Sequence, residues 1–397
     1  MNQNNAGRTA LLALLAVFLI AGTFSGGVLI GRMIPAQTKE ETSELDRLFE
    51  PFWETWQYVQ EGFINQPVDD NKLMQGAIKG MLESLDEKHT SYMDPEEYKE
   101  INAPLDGSYE GIGAYVDVSG EWLTIISPMP DSPAEEKGLR PGDEVIKVNG
   151  EDVSGIDPAI VLRSVKGPAG TDVTLTIRRP ETNEELEFTI TRQEIKLESV
   201  VGEMLEENIA YVYVSTFGNN TADELRKTLK TLLEQNPDGL ILDLRYNSGG
   251  YVDAAVDVMS EFIAEGVVLI EQEGSGEETT YEAKPGGLAT TIPLVVLVNE
   301  GTASAAEITA GAIQDYERGI LVGTTTYGKG SVQAFIPLKN DQGAVRITIA
   351  KWLTPKGRLI NEIGLTPDVE VILTDADIEA EIDAQLEKAI EILRQAE

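Results

Sequence analysis

The sequence has no cysteine and a single histidine, His89, among 397 residues. Without thiols there is no disulfide, no thiolate metal site and no cysteine nucleophile, and one imidazole cannot build a histidine-rich metal centre. Any serine-histidine machinery would have to use His89 itself. His89 lies in DEKHTSYMDPEEY, beside a Ser-Tyr and Asp-Pro turn signal, where a structural or surface role is expected. Positive charge is scarce as well: 31 Lys and Arg face 68 Asp and Glu, a formal net charge of -37. The basic residues form no patch, so a phosphate backbone is repelled and nucleic acid is not an expected partner. What the chain has is a hydrophobic content of 42%. That is enough for two or three cores and excludes a disordered chain.

Residues 9–31, TALLALLAVFLIAGTFSGGVLIG, run without a charge for 23 residues. As a helix this is long enough to cross a bilayer. The expectation is a single-pass signal-anchor in the cell membrane, with the folded body on the extracytoplasmic side; a cleaved signal peptide is the alternative. The following AQTKEETSE reads as an exposed tether. Helical spacing of Leu48, Phe52, Trp56, Val59 and Phe63, then Leu73, Ala77, Met81 and Leu85, predicts a small helical segment. From residue 107 the texture changes to short alternating strands with tight turns, and from residue 208 to alternating strands and helices, an α/β pattern. Three later strands, ILVGTTT, SVQAFIPL and AVRITIAKWL, follow without intervening helices, so part of the sheet is expected to be antiparallel or to form a second sheet. The C-terminal DADIEAEIDAQLEKAIEILRQ is an acidic amphipathic helix, expected to pack on the body or on a partner subunit. The resulting plan is a signal-anchor over 1–34, a tether over 35–44, a helical segment over 45–105, a β-rich module over 106–193, an α/β core over 194–372 and a helix over 373–397.

Four stretches could carry chemistry. In GTASAAEI a buried strand ends, a glycine turn follows and Ser304 opens the next helix, where backbone N–H groups can face an anion. A helix cap competes, because Ser304 with Glu307 three residues on fits a capping box. In TTTYGKGSVQ, Lys329 is flanked by two glycines that allow close approach of another backbone, and burial would favour the neutral amine that a serine-lysine hydrolase needs. Gln333 shares the face of Lys329 only if the strand is regular. The same stretch spells G-x-x-x-x-G-K, but Gly330 stands where a phosphate loop needs Ser or Thr, and a strand follows instead of a helix. LDLRYNSGGYVDAA offers a strand, a glycine pair and a helix start, the ingredients of a backbone oxyanion donor, with a plain turn as the alternative and Ser248 as a turn residue. GSYEGIGAYV suits capture of a peptide carboxylate by backbone N–H groups better than it suits a dinucleotide.

Taken together these motifs resemble those of the carboxyl-terminal processing, or tail-specific, serine proteases, over roughly residues 45 to 370. GTASAAEI resembles the family's nucleophile motif with Ser304, YGKGSVQ its general-base motif with Lys329, and Gln333 falls on its orienting glutamine. The resemblance implies oxyanion donors at the backbone N–H groups of Gly249, Gly250 and Ala305; Ser248 departs from the proline or glycine of many members. SPAEEKGLRPGDEVIKVNGEDV is similar to the PDZ domains of such enzymes, and Gly111, Ile112, Gly113 and Ala114 match their carboxylate loop. Arg163, near the end of the short helix bordering that groove, is the candidate sensor of an incoming tail, with a solvated helix-end arginine as the alternative. The implied fold is a crotonase-like α/β protease core with an inserted β-rich PDZ domain. The implied activity is endoproteolysis near protein C-termini, gated by that domain and needing neither metal nor cofactor. The implied partners are C-terminal tails, the membrane through the N-terminal helix, and a second copy of the chain through the N- and C-terminal helices. Two other classes compete: a non-catalytic PDZ scaffold at the membrane, which retention of Ser304, Lys329 and Gln333 argues against, and an acyl-CoA hydratase or hydrolase, which the anchor and the PDZ module argue against.

Overall fold

The computed structural model describes residues 38–395. The apolar run at 9–31 lies outside them, and among the described residues no helix is long and apolar enough to cross a membrane. The chain divides into two compact units at Gly76. In the first, the helix Thr38–Gly62 carries Phe49, Phe52, Trp53 and Trp56 in edge-on ring contacts along one side. It begins within the stretch expected to be a tether, because TKEETSELDRL is a run of good helix formers with no glycine or proline to stop it.

The second unit contains two cores. Six strands between Ala114 and Thr191 form one sheet around Leu123, Ile125, Val145, Val173, Leu175 and Ile177, all essentially inaccessible. Alternation explains the inside: in Asp172–Arg179 the residues Val173, Leu175 and Ile177 face in, two apart. The strand Ala114–Asp117 is one edge of this sheet. The helix Pro158–Val165 is capped by Asp157, which accepts the Ala159 N–H. The module leaves and rejoins the rest of the unit through the paired strands Ser108–Gly111 and Gln193–Lys196.

The larger core is built on a six-stranded sheet. Val200–Met204 pairs antiparallel with Ile209–Val214, and then Gly239–Asp243, Leu294–Val298, Ile320–Gly323 and Val369–Glu370 add in parallel. The two central strands are buried along their whole length, as strands covered on both faces must be. On one face Leu240, Leu242, Val296 and Val298 pack with Leu225, Leu229, Met259, Ile308 and Ile313 from the helices Thr221–Leu233, Val252–Ser260 and Ala305–Asp315. On the other, Ile241, Val295, Leu297 and Val322 meet Ala389 and Leu393 of the helix Ala384–Gln395. The C-terminal helix therefore packs on the body. A second, antiparallel sheet holds Ser331–Pro337 and Ala344–Leu353, joined by Ser91–Met93 and by a hairpin of Val267–Glu273 and Glu278–Glu282.

Candidate active site

Three neighbouring parallel strands, Gly239–Asp243, Leu294–Val298 and Ile320–Gly323, end on the same side of the large sheet. The loops that follow their carboxyl ends carry Gly249 and Gly250, Ser304, and Lys329 respectively. Open parallel sheets place binding sites at such ends because the loops converge there.

Ser304 sits at φ 55°, ψ -120°, a left-handed region costly for a residue with a Cβ, at the turn from strand to helix. It is half-buried, and its flanking Ala303, Ala305 and Ala306 are buried. Gly249, at φ 103°, lies directly against it: a Cβ there would stand 2.7 Å from the Ser304 Cβ and 2.9 Å from the Ala305 nitrogen. No other residue type fits.

Glu307 explains why the turn holds. Its carboxylate is wholly buried and accepts four hydrogen bonds: Oε1 from Thr326 Oγ1 and from the Gly328 N–H at 2.7 Å, Oε2 from the Ser304 N–H and from the Lys329 N–H, both at 2.9 Å. One oxygen thus ties the main chains of Ser304 and Lys329 to a single point. Burial pushes the Glu307 carboxyl up, against the opposing pull of those four donors. The capping box expected from the sequence is present, with the Glu307 side chain on the Ser304 N–H, and the same glutamate also reaches the lysine loop.

Lys329 is clamped from its other side too, since its carbonyl accepts the Nε1–H of buried Trp352 at 2.8 Å. Gly328, at φ 86°, brings the loop within reach of residues 362–364, where a Cβ would meet the Gly364 nitrogen at 2.9 Å. Burial, then the positive charge of Arg346, push the Lys329 ammonium below its ordinary value of 10.5, while Glu307 and Glu87 pull the other way. Among the described residues the Lys329 ammonium makes no hydrogen bond, so the nucleophile and base candidates share an anchor but are not joined side chain to side chain. Gln333 does not bridge them here. The register shifts between Val332 and Gln333, and the Gln333 amide donates to Ser331 Oγ at 2.8 Å and Thr348 Oγ1 at 3.3 Å. Thr348 in turn donates to Glu87 at 2.7 Å. His89 contributes its backbone: its N–H donates to Glu87 and its carbonyl accepts Arg346 Nε at 2.8 Å.

The glycine turn is held by Asn247, which is fully buried. Its Nδ2 donates to the Val214 carbonyl at 2.7 Å, its Oδ1 accepts the Gly249 N–H at 2.8 Å, and its own carbonyl accepts the Ala303 N–H. The Gly249 N–H is therefore engaged in this structure, whereas those of Gly250 and Ala305 have no partner among the described residues. Ser248 is exposed in the turn. Behind it Arg245 binds Asp243 at 2.6 Å and Asp383 at 2.8 Å, fixing the end of the strand to the C-terminal helix. Asn247, Arg245 and Trp352 escape a sequence reading, and Glu307 is legible there only as a cap three residues after Ser304.

In the β-rich module, Gly111, Ile112, Gly113 and Ala114 form the loop leading into the edge strand. Beside it opens a cavity of about 270 Å³, lined by Ile112, Ala114, Leu123, Val145 and Leu162, with Glu100, Ala103 and Pro104 of the helix Pro95–Asp106 on its far wall. Arg163 stands in the last turn of its helix and pairs with Glu100 at 3.3 Å.

Three family models match the chain: Peptidase family S41 over residues 208–371, PDZ domain over 124–179 and Activating protease CtpB N-terminal domain over 30–97. The Carboxy-terminal-processing protease of Bartonella bacilliformis is 36% identical over 360 residues, covering 89% of this chain and 82% of that protein. The Carboxy-terminal processing protease CtpA of Bacillus subtilis is 37% identical over 339 residues, covering 85% and 72%. Among solved structures, a putative S41 protease from Bacteroides fragilis aligns over 84% of this chain and 93% of its own, with a TM-score of 0.54 at 17% identity, a likeness of fold.

Proposed function

The chain belongs to the carboxy-terminal processing proteases of peptidase family S41, serine-type peptidases carrying a PDZ domain, and on that premise we propose that Ser304 is its nucleophile and Lys329 its general base. The observation that carries the assignment is the shared anchor: a single buried oxygen of Glu307 accepts the backbone N–H groups of both residues. Neutral Lys329 takes the proton of Ser304 Oγ as that oxygen bonds to a peptide carbonyl carbon. The free Gly250 and Ala305 N–H groups supply oxyanion donors, with Gly249 shaping the turn. As the tetrahedral adduct collapses, the Lys329 ammonium returns its proton to the leaving amine. Water then gives a proton to the Lys329 amine as its oxygen bonds to the acyl carbon, and the ester breaks as Lys329 returns that proton to Ser304 Oγ. Gln333 orients Lys329 once its amide leaves Ser331 and Thr348.

The PDZ module binds a protein's C-terminal tail, its carboxylate on the amides of Ile112, Gly113 and Ala114 and its last side chain in the apolar cavity. Exchange of Arg163 from Glu100 to that carboxylate biases the module toward an arrangement in which Lys329 reaches Ser304. Residues 9–31 anchor the enzyme in the membrane with its body outside the cytoplasm. Exposed Leu48 and Trp53 on the N-terminal helix offer a surface for a second copy. Peptide hydrolysis by Ser304→Ala and Lys329→Ala, each folded, tests the core of the assignment: both should be inactive, and turnover by either overturns it. Protease accessibility of intact cells tests the topology.

A further inference from the structure

Arg192 is a buried cation that the reaction does not use. It stands between the strands Glu184–Thr191 and Gln193–Lys196, and among the described residues no carboxylate forms an ion pair with it. Its guanidinium donates instead to four neutral oxygens. Nε reaches the Val165 carbonyl at 2.8 Å and Nη2 the Ser164 carbonyl at 3.2 Å, while Nη1 reaches Thr171 Oγ1 at 2.9 Å and the Asp172 carbonyl at 3.1 Å. Its backbone is tied to the same loop, the N–H donating to the Thr171 carbonyl and the carbonyl accepting the Gly170 N–H, both at 2.8 Å. The chain passes so close that a Cβ on Gly167 would stand 3.0 Å from both Cζ and Nε. Ser164 and Val165 end the helix Pro158–Val165, so the cation meets the negative end of the helix dipole. A planar fork with five donors spans the helix end and the start of the next strand; a lysine ammonium, a point charge on a flexible stem, does not. Desolvating a charge costs far more than burying an apolar side chain of that size, so stability alone is a poor reason for it.

Three parts of the tail-binding module meet at this residue. Arg163, which pairs with Glu100, directly precedes Ser164. Gln193, directly after Arg192, is the register partner of Gly111, where the carboxylate loop begins. The strand pair Ser108–Gly111 and Gln193–Lys196 is the connection of the module to the rest of the unit. We propose that Arg192 is the positioning residue that couples the groove to the active site: it fastens the turn carrying Arg163 to the strand pair on which the module is mounted, so that a bound tail moves both together. The proposal rests on the reading of the module as a tail-binding gate. The helix end is then fastened differently on its two sides. Arg163 holds it to Glu100 by an exposed pair that a carboxylate exchanges, and Arg192 holds it to the strand pair by bonds that stay intact.

The test compares Arg192→Lys with the parent in the full chain. Tail binding is read in the Ser304→Ala background, by anisotropy of a fluorescein-labelled peptide ending in alanine as the free acid. Steady-state kinetics use a long substrate with that tail, the same substrate as C-terminal amide, and a short amidated peptide. In the parent, kcat on the free-acid substrate should exceed that on the amide. In Arg192→Lys the tail should bind within about twofold of the parent and the short peptide turn over at the parent rate, while kcat on the free-acid substrate falls about tenfold, toward that of the amide. Thr171→Val removes one of the four acceptors at an exposed position and should show the same split at about threefold, whether or not the lysine variant folds. Parent-like kcat in both variants overturns the proposal. So does a loss of tail affinity that matches the loss of rate, which makes Arg192 a support of the groove alone. A parent that cleaves acid and amide with equal kcat overturns tail gating and the proposal together, and leaves Ser304 and Lys329 standing.

Discussion

The catalytic loops and the PDZ groove hold their key residues in opposite ways. Around Ser304 and Lys329 the clamp is made by buried groups with every hydrogen bond satisfied: Glu307 with four donors, Asn247 with three bonds, Trp352 on the lysine carbonyl. At the groove, Arg163 and Glu100 pair at 3.3 Å with 44% and 34% of their side chains exposed. Buried polar clusters are expensive to disturb, whereas an exposed ion pair contributes about 0 to 1 kcal/mol. The backbone of the chemical site is fixed, and the recognition element is fastened by contacts that a ligand can exchange.

The largest expected effect breaks the first half of this contrast. Glu307→Ala leaves four donors without an acceptor in a closed site, and should cost about 3 kcal/mol or more in urea unfolding. Glu307→Gln keeps the volume but turns an N–H₂ toward two of those donors, and should lower kcat by about 100-fold or more while KM changes little. A glutamine variant of ordinary kcat would mean that the shared anchor is unnecessary. Next comes Gly249→Ala, whose methyl collides with Ser304 and Ala305 and whose φ of 103° disfavours any Cβ. It should be folded but inactive, as circular dichroism beside a hydrolysis assay would show.

A subtler effect is on pH dependence. Because burial and Arg346 disfavour the charged amine, Lys329 loses its proton below the ordinary lysine value, and kcat/KM should rise with pH along that limb. Arg346→Gln removes a positive neighbour, raises the Lys329 pKa and moves the limb to higher pH. Glu87→Gln removes a negative neighbour and moves it to lower pH. Shifts of the opposite sign would mean that another group is the base. The smallest effect on stability, and the one that sharpens the second half of the contrast, is Arg163→Ala. Its melting temperature should stay near that of the parent, as loss of an exposed pair implies. Apparent affinity and maximal rate on a long tailed substrate should both fall by several-fold, and an unchanged maximal rate would reduce the module to a tether.

Much of this was legible in the sequence, and the rest was hidden for definite reasons. Ser304 and Lys329 stand out because close packing of main chains demands alanines and glycines around them. Glu307 reads as a cap because Ser-x-x-Glu is a local signature; its second role depends on Thr326, Gly328 and Lys329, which only the fold brings alongside. Gln333 was expected on the face of Lys329 if the strand were regular, and the register shift beside it breaks that condition. The hairpin Val267–Glu273 and Glu278–Glu282 goes unread because its second strand, ETTYE, is acidic and almost wholly exposed. The apolar run at 9–31, clear in sequence, lies outside the described residues.

Labelling by a fluorophosphonate probe tests the central assignment most directly, with the site and rate of modification followed by intact mass and peptide mapping across pH. The account predicts a single adduct on Ser304, a rate that rises with pH along a limb below the ordinary lysine pKa, and no adduct in folded Lys329→Ala. An adduct on Ser248, or equal labelling of Ser304 with and without Lys329, would contradict it.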